Sequence, residues 1–257
     1  MRRGAAILLA ILPLAGQAAA PPEGYAAIPA GEFKSALRYE DAAAGTKVAP
    51  FFLMRRPVTN GEYLRFVRTH AEWQRGRAPV VLAEPRYLSS WAGPLDPGQA
   101  ALQQPVTWVS WFAADAFCAA QSARLPSWLE WEYVAAADET RRDARADPAW
   151  RERILAWYAE PSTGTLPAVG RTPLNAYGIQ DLHGLVWEWI DDASALLVTS
   201  DNREQGAADK LRFCGAAALS TDDRENYATL MRVALLSSVQ ASDATGNLGF
   251  RCAKDLP

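Results

Sequence analysis

From Tyr25 to Met54 the apolar residues come in short runs broken by Pro, Gly and charged positions, with no helical period. Residues 28–33 predict a strand entering a turn, and residues 48–54 a second apolar strand. The pattern changes at Thr59. Thr59-Asn60-Gly61-Glu62 is a capping box, in which the threonine hydroxyl accepts the amide three residues on and Glu62 reaches back. Tyr63, Phe66 and Val67 then fall on one helical face. Residues 71–104, rich in Pro, Gly and charge, predict a surface excursion. Ser110 caps a helix whose Trp111, Ala114 and Cys118 share a stripe, with Phe112 and Phe117 beside it. Ser127 caps another, with Glu130 at its third position and Trp131, Val134 and Ala135 along one face. Between Asp138 and Thr172 the periodicity dissolves, predicting a variable loop with one short helix over about residues 149–159. Beyond Thr172, frequent Gly, Asn, Asp and Ser predict short strands and long loops. The pattern as a whole predicts an α+β domain with an unusually high loop content.

The N-terminus changes the picture by adding a compartment. Arg2 and Arg3 precede an apolar run over residues 5–15, broken only by Pro13, and Gly16-Gln17-Ala18-Ala19-Ala20 supplies small residues. This is the pattern of a secretory signal peptide over residues 1–20, cut at Ala18 or Ala19 because Pro21 suits the position after a cut poorly. The competing reading is a buried N-terminal helix. The run is too short to span a bilayer, which takes roughly 20 residues. No cysteine follows it, and no second long apolar segment exists, so neither a lipid anchor nor a membrane anchor after signal cleavage is expected. The expected location is periplasmic or secreted, with one domain over residues 25–254.

Without Arg2 and Arg3 the 26 basic residues fall to 24 against 29 acidic, a net charge of −5. With no basic cluster, that balance argues against nucleic acid or an anionic membrane as partner. Ten tryptophans are many for 257 residues, and most are expected in the core, each indole needing one acceptor.

Five phrases in order then carry a resemblance. Pro57-Val58-Thr59-Asn60-Gly61-Glu62-Tyr63 resembles a "VTNxEY" start, and Pro105-Val106-Thr107-Trp108-Val109-Ser110-Trp111 resembles "PVxxVSW". Arg124-Leu125-Pro126-Ser127-Trp128-Leu129-Glu130-Trp131-Glu132 resembles "RLPTEAEWE". Asn175-Ala176-Tyr177-Gly178 through Val186-Trp187-Glu188-Trp189 resembles "NxxGLYDMxGNVWEW", and Asn247-Leu248-Gly249-Phe250-Arg251-Cys252 resembles "NLGFRC". Together they resemble the formylglycine-generating, or sulfatase-modifying factor, family. The resemblance implies a loop-rich fold related to C-type lectins.

Three cysteines in an oxidising compartment allow one intramolecular pair, and spacing alone leaves three pairings open. The resemblance implies Cys118 with Cys252, matching a family disulfide from a helix to the C-terminus. Cys214 is then odd. It reads as a buried thiol acting as a small hydrophobe or as a free reactive thiol, a metal ligand or a link to a partner, with Met231 its one candidate sulfur neighbour.

Family members that make formylglycine carry two cysteines five residues apart that bind copper. Counting back from Cys252 places that pair near Asp223 and Ala228, where this chain has no thiol. Copper at the family's site is therefore not expected, nor is formylglycine generation. An iron-dependent branch uses two histidines and a carboxylate, but His70 and His183 lie in unrelated motifs. His70 is expected to close the first helix, where a cation suits the dipole.

In place of the cysteines stand Asp222, Asp223, Arg224, Glu225 and Tyr227. They read as a self-paired solvated loop or as an acid–base site, with Asp223, Glu225 and Tyr227 as catalytic candidates and Trp108 or Trp187 as pocket walls. The resemblance also implies calcium in the turn 181–188. Asp181 and Glu188 would offer carboxylates, and Gly184 and Val186 carbonyls, as hard cations prefer oxygen. Leu185 replaces the family's usual Asn there, and the other reading is an ion-free turn held by Trp187 and Trp189.

Two functions follow. One is an accessory or maturation factor that binds a peptide or a periplasmic protein, such as a copper enzyme. The other is a diverged enzyme modifying a peptide or siderophore precursor. The 213–218 stretch and residues 227–232 resemble a family group associated with nitrite reductases.

Overall fold

The computed structural model describes residues 20–35, 45–98, 102–160, 165–193 and 227–256, with the backbone alone for 227–230. The predicted signal peptide, apart from Ala20, lies outside the described residues.

Each of the two predicted N-terminal strands is in fact two. A proline lacks the N–H that a ladder needs, and Pro29 separates β1 (Tyr25–Ile28) from β2 (Gly31–Phe33), as Pro50 separates β3 (Thr46–Val48) from β4 (Phe51–Met54). β1 pairs antiparallel with β4, and β2 with β3 in a separate hairpin. The last strand, β7 (Ala253–Asp255), returns to the other edge of β4, giving the order β1-β4-β7.

The capped helices form where their polar start signals stand. In α1 (Asn60–Thr69) and α3 (Trp128–Ala135) both halves of the capping box are made, by Thr59 with Glu62 and by Ser127 with Glu130. Ser110 accepts the Ala113 amide to start α2 (Trp111–Ala119). Trp111, expected in that helix's buried stripe, is only half-buried, and its indole donates to the Ile190 carbonyl at 2.8 Å. The short helix expected near residues 149–159 is α4 (Pro148–Ala159), with Pro148 in its first turn and Asp147 as its cap.

Two expectations are corrected. Residues 71–104 are not merely a surface excursion, because Ala83, Tyr87, Leu88 and Trp91 all enter the core. The C-terminal third is not free of long helix: α5 (Tyr227–Ser238) buries Arg232, Val233 and Leu236.

The main core is aromatic. Tyr63 stacks on Phe117 and meets Trp91 and Phe250 edge-on, and the hydroxyls of Tyr63 and Tyr87 are 2.6 Å apart. Buried indoles find the acceptors they need: Trp91 donates to Asn60, Trp128 to Glu132 and Trp189 to the Val109 carbonyl. Cys118 on α2 is bonded to Cys252, just before β7, over a sequence separation of 134.

Candidate functional site

β5 is only Trp187–Glu188, paired in parallel with β6 (Leu248–Gly249). Gly249 is required there, since a Cβ would lie 2.7 Å from the Val106 carbonyl oxygen. β5 places the half-buried Trp187 ring 5.0 Å from Tyr158 and 5.3 Å from Trp157, at the end of α4. The Trp157 and Tyr158 rings are themselves 4.6 Å apart. Trp108 lines the same groove. Its backbone is left-handed, with φ of 58°, which is costly for a bulky residue, and its indole lies so close to Gly246 that a Cβ there would meet it at 3.0 Å. The groove encloses about 660 Å³, and Glu160, Thr165 and Asn247 supply polar groups to it. Both tryptophans singled out as walls, Trp108 and Trp187, therefore border one groove.

Side chains alternate along a strand, so Glu188 points the other way and is fully buried. Its Oε1 accepts from Nε of Arg251 at 3.0 Å and from Nη2 at 2.7 Å. Its Oε2 accepts from Nε at 2.8 Å and from the Trp131 indole at 2.8 Å. Arg251 also donates to the carbonyls of Met54 and Gln180. Arg232, buried on α5, donates to the Glu188 carbonyl at 2.6 Å and lies over the Trp131 ring at 3.5 Å. Burial holds its guanidinium down at about 10, against the pull of Glu188.

Those bonds bear on calcium. A carboxylate offers about four lone-pair sites, and three N–H groups meet those of Glu188: Nε–H of Arg251, shared between both oxygens, Nη2–H of Arg251 and the Trp131 indole. Asp181 has a left-handed backbone, and its carboxylate accepts from the Gly170 amide and from the amide and hydroxyl of Thr172. The two acids expected as ligands, Asp181 and Glu188, are thus each engaged by donors of the protein itself. Among the described residues no group of three or more His, Cys, Asp or Glu is placed to hold a metal.

The remaining candidates divide. Cys118 and Cys252 form the implied disulfide. Cys214, Asp223 and Glu225 lie outside the described residues, and Tyr227 opens α5 with only its backbone described. Met231 is exposed on that helix. His70 closes α1, where its amide and its Nδ1 both meet the Phe66 carbonyl.

Sequence reasoning missed Arg251, Arg232 and Tyr158. Arg251 sits inside a motif but 63 residues from Glu188, so nothing local announces the pair. Tyr158 follows Trp157 in the segment expected to vary, and burial raises its phenol well above the ordinary range.

The arrangement defines a loop-rich α+β domain, tied by one disulfide and carrying an aromatic groove beside a buried ion pair. The model of the sulfatase-modifying factor enzyme 1-like domain matches residues 13–256, and the chain belongs to that family. It is 30% identical over 251 residues to the inactive C-alpha-formylglycine-generating enzyme 2 of Mus musculus, covering 83% of this chain and 78% of the relative. It is 34% identical over 171 residues to the formylglycine-generating enzyme of Streptomyces coelicolor, covering 59% of this chain and 52% of that enzyme. Among solved structures, CarF aligns over 92% of this chain and 99% of its own, at a TM-score of 0.48 and 18% identity. Among the described residues no helix is long and apolar enough to cross a membrane.

Proposed function

We propose that this protein is a secreted or periplasmic binding factor that holds a peptide or a protein segment in the aromatic groove and does not generate formylglycine. One observation carries the second half: of three cysteines, Cys118 and Cys252 are bonded to each other, leaving Cys214 as the single thiol. A copper centre built on two thiolates cannot be assembled from one. The disulfide also suits an oxidising compartment, because such bonds persist there and are rare where thiols are kept reduced.

The groove supports binding. Trp108, Trp157, Tyr158 and Trp187 offer large, stiff surfaces that cost little entropy to immobilise, while Asn247 and Thr165 can bond a backbone. At about 660 Å³ it is the size of a small-ligand or short-peptide site.

The test is a tiled peptide array and a glycan array, both probed with the wild type and with Trp187→Ala, followed by mass analysis of every bound peptide. Peptide spots that fade in Trp187→Ala with peptide mass unchanged support the reading. Binding confined to glycans would overturn it. A mass change in a bound peptide, or conversion of a cysteine peptide to the aldehyde with copper present, would replace binding by catalysis.

A further inference from the structure

The tryptophans divide by what their indole N–H groups meet. Those of Trp91, Trp111, Trp128, Trp131 and Trp189 each donate to a protein acceptor. The three indoles of the aromatic groove do not. Trp108, Trp157 and Trp187 have no acceptor among the described residues, and their nitrogens remain open to solvent. Two of these ring edges can be placed against the groove's own lining. Nε1 and Cε2 of Trp108 lie over Gly246, where an added Cβ would meet them at 3.2 and 3.1 Å. Cδ1 of Trp157, the carbon bonded to its Nε1, would lie 3.7 Å from a Cβ on Gly184. Both glycines border the groove.

Trp108 is also fixed where it stands. Its amide donates to the Thr245 carbonyl at 2.9 Å, and its carbonyl accepts from the Leu88 amide at 2.8 Å. These bonds hold the left-handed backbone at this residue, a kind of strain that clusters at ligand sites.

The side-chain groups left over in the groove are mostly donors. Asn247 spends its oxygen on the Thr245 hydroxyl and keeps its NH2 group. Glu160, the C-cap of α4, is the one charged residue among those that line the groove. Arg86 lies 5.7 Å from the Trp108 ring, but it is bonded to both carboxylate oxygens of Glu84.

That pattern selects among ligands. An anion would meet Glu160 and no free cation. A sugar hydroxyl brings a donor along with its acceptor sites, and acceptors are scarce here. A quaternary ammonium needs rings standing apart around it, whereas the rings of Trp157, Tyr158 and Trp187 touch one another, with centroids 4.6–5.3 Å apart. They form one continuous stacking surface. An ordinary extended peptide presents as many N–H groups as carbonyls. A proline run presents carbonyls alone, leaves them without internal partners in the polyproline II helix, and stacks its rings on aromatic faces.

We infer that the occupant of the groove is a neutral or basic proline-rich segment in the polyproline II conformation, whose carbonyls accept from the indole N–H groups of Trp108, Trp157 and Trp187. The inference rests on the groove being a peptide site, as proposed above, and adds which peptide it takes.

The experiment titrates two capped octapeptides into the full chain, octaproline and an alternating Ala-Ser peptide of the same length. Nitrogen–proton NMR reads the indole N–H signals, and Trp108→Phe, Trp157→Phe and Trp187→Phe identify three of them. Expected are saturable binding of octaproline, affinity for the Ala-Ser peptide weaker by about tenfold or more, and shifts of the three groove signals. Each Phe variant keeps a ring but loses its donor, and should weaken octaproline by roughly two- to tenfold. The peptide comparison and the indole shifts are read on the wild type, so they decide the matter even if a variant does not fold. Equal affinity for the two peptides, octaproline bound with the groove signals unmoved, or unchanged binding in all three folded variants would each overturn the inference. If octaproline is ignored while other peptides bind and lose binding in Trp187→Ala, the proline inference falls and the peptide reading stands. If no peptide of any composition binds, both fall.

Discussion

Replacing Glu188 by Gln tests whether the buried guanidinium of Arg251 is the true partner of that carboxylate. Both side chains are completely excluded from solvent, and four contacts of 2.7–3.0 Å converge on the two carboxylate oxygens. Glutamine keeps the shape and one acceptor oxygen, but it removes the charge and presents an NH2 group to N–H donors. Breaking one partner of a buried ion pair costs about 3–5 kcal/mol, mostly because the other charge is left uncompensated. For a domain of this length each kcal/mol moves the melting temperature by about 2–4 °C, so a fall of roughly 6–20 °C is expected. The assay is calorimetric or urea unfolding of the wild type, Glu188→Gln, Arg251→Met and the double variant. Each experiment is repeated with calcium and with a chelator. The double variant should recover part of the loss, since no lone charge remains buried, and calcium should leave all four curves in place. A loss below about 1 kcal/mol in Glu188→Gln, well short of the range for a broken buried pair, together with a wild-type curve that shifts with calcium, would show that a cation and not Arg251 neutralises the carboxylate. It would also refute the account of the turn given above.

Removing both halves of the Cys118–Cys252 bridge as alanines opens a closure of 134 residues. It should cost about 4–5 kcal/mol by loop entropy, read as a lowered urea midpoint that matches the wild type under reductant. Ser127→Ala should cost about 1 kcal/mol through the lost cap, and Glu130→Ala more, because the same carboxylate binds two nitrogens of Arg124. Burial and the nearby guanidiniums push the His183 imidazole down from 6.5 to about 4. The unfolded chain therefore takes up a proton first. Its contribution should be intact above pH 6.5 and fade as pH falls towards 4, by at most roughly 3 kcal/mol, with a slope near 1.4 kcal/mol per unit. Urea midpoints between pH 7 and 4.5 check this.

The parts legible from the sequence are those whose cause is local. Thr59 with Glu62 and Ser127 with Glu130 are three residues apart, and both boxes close as their spacing requires. The α+β class and the Cys118–Cys252 pair also stood in the chain, the latter through the family motifs at both ends. What failed was decided at a distance. Tyr87, Leu88 and Trp91 sit among turns that look like surface, yet Trp91 is drawn inward by Asn60, 31 residues earlier. α5 did leave a trace, since residues 227–238 contain no Gly, Pro, Asp or Asn. Asn226, a residue type that caps helices well, even stands immediately before it, but without the Glu three residues on that completes the boxes of α1 and α3. In the turn 181–188 the oxygen-rich pattern suits a cation, and the guanidinium that Glu188 meets is carried by a residue 63 positions away, which no local pattern announces.

The return of β7 to the edge of β4 sets the order in which the molecule can be made. Within eight residues, 248–255, lie the partner of β5, the guanidinium that neutralises Glu188, the second cysteine of the bridge and the third strand of the sheet. A chain emerging from its N-terminus holds Phe51, Phe52 and Leu53 with one side of their strand unpaired, and Glu188 without its counter-ion, until residues 248–255 appear. Closure of this domain therefore waits on one short segment rather than proceeding by gradual accretion. A stop codon before residue 248 would leave a chain with no closed core, open to proteolysis and to pairing through that bare strand edge.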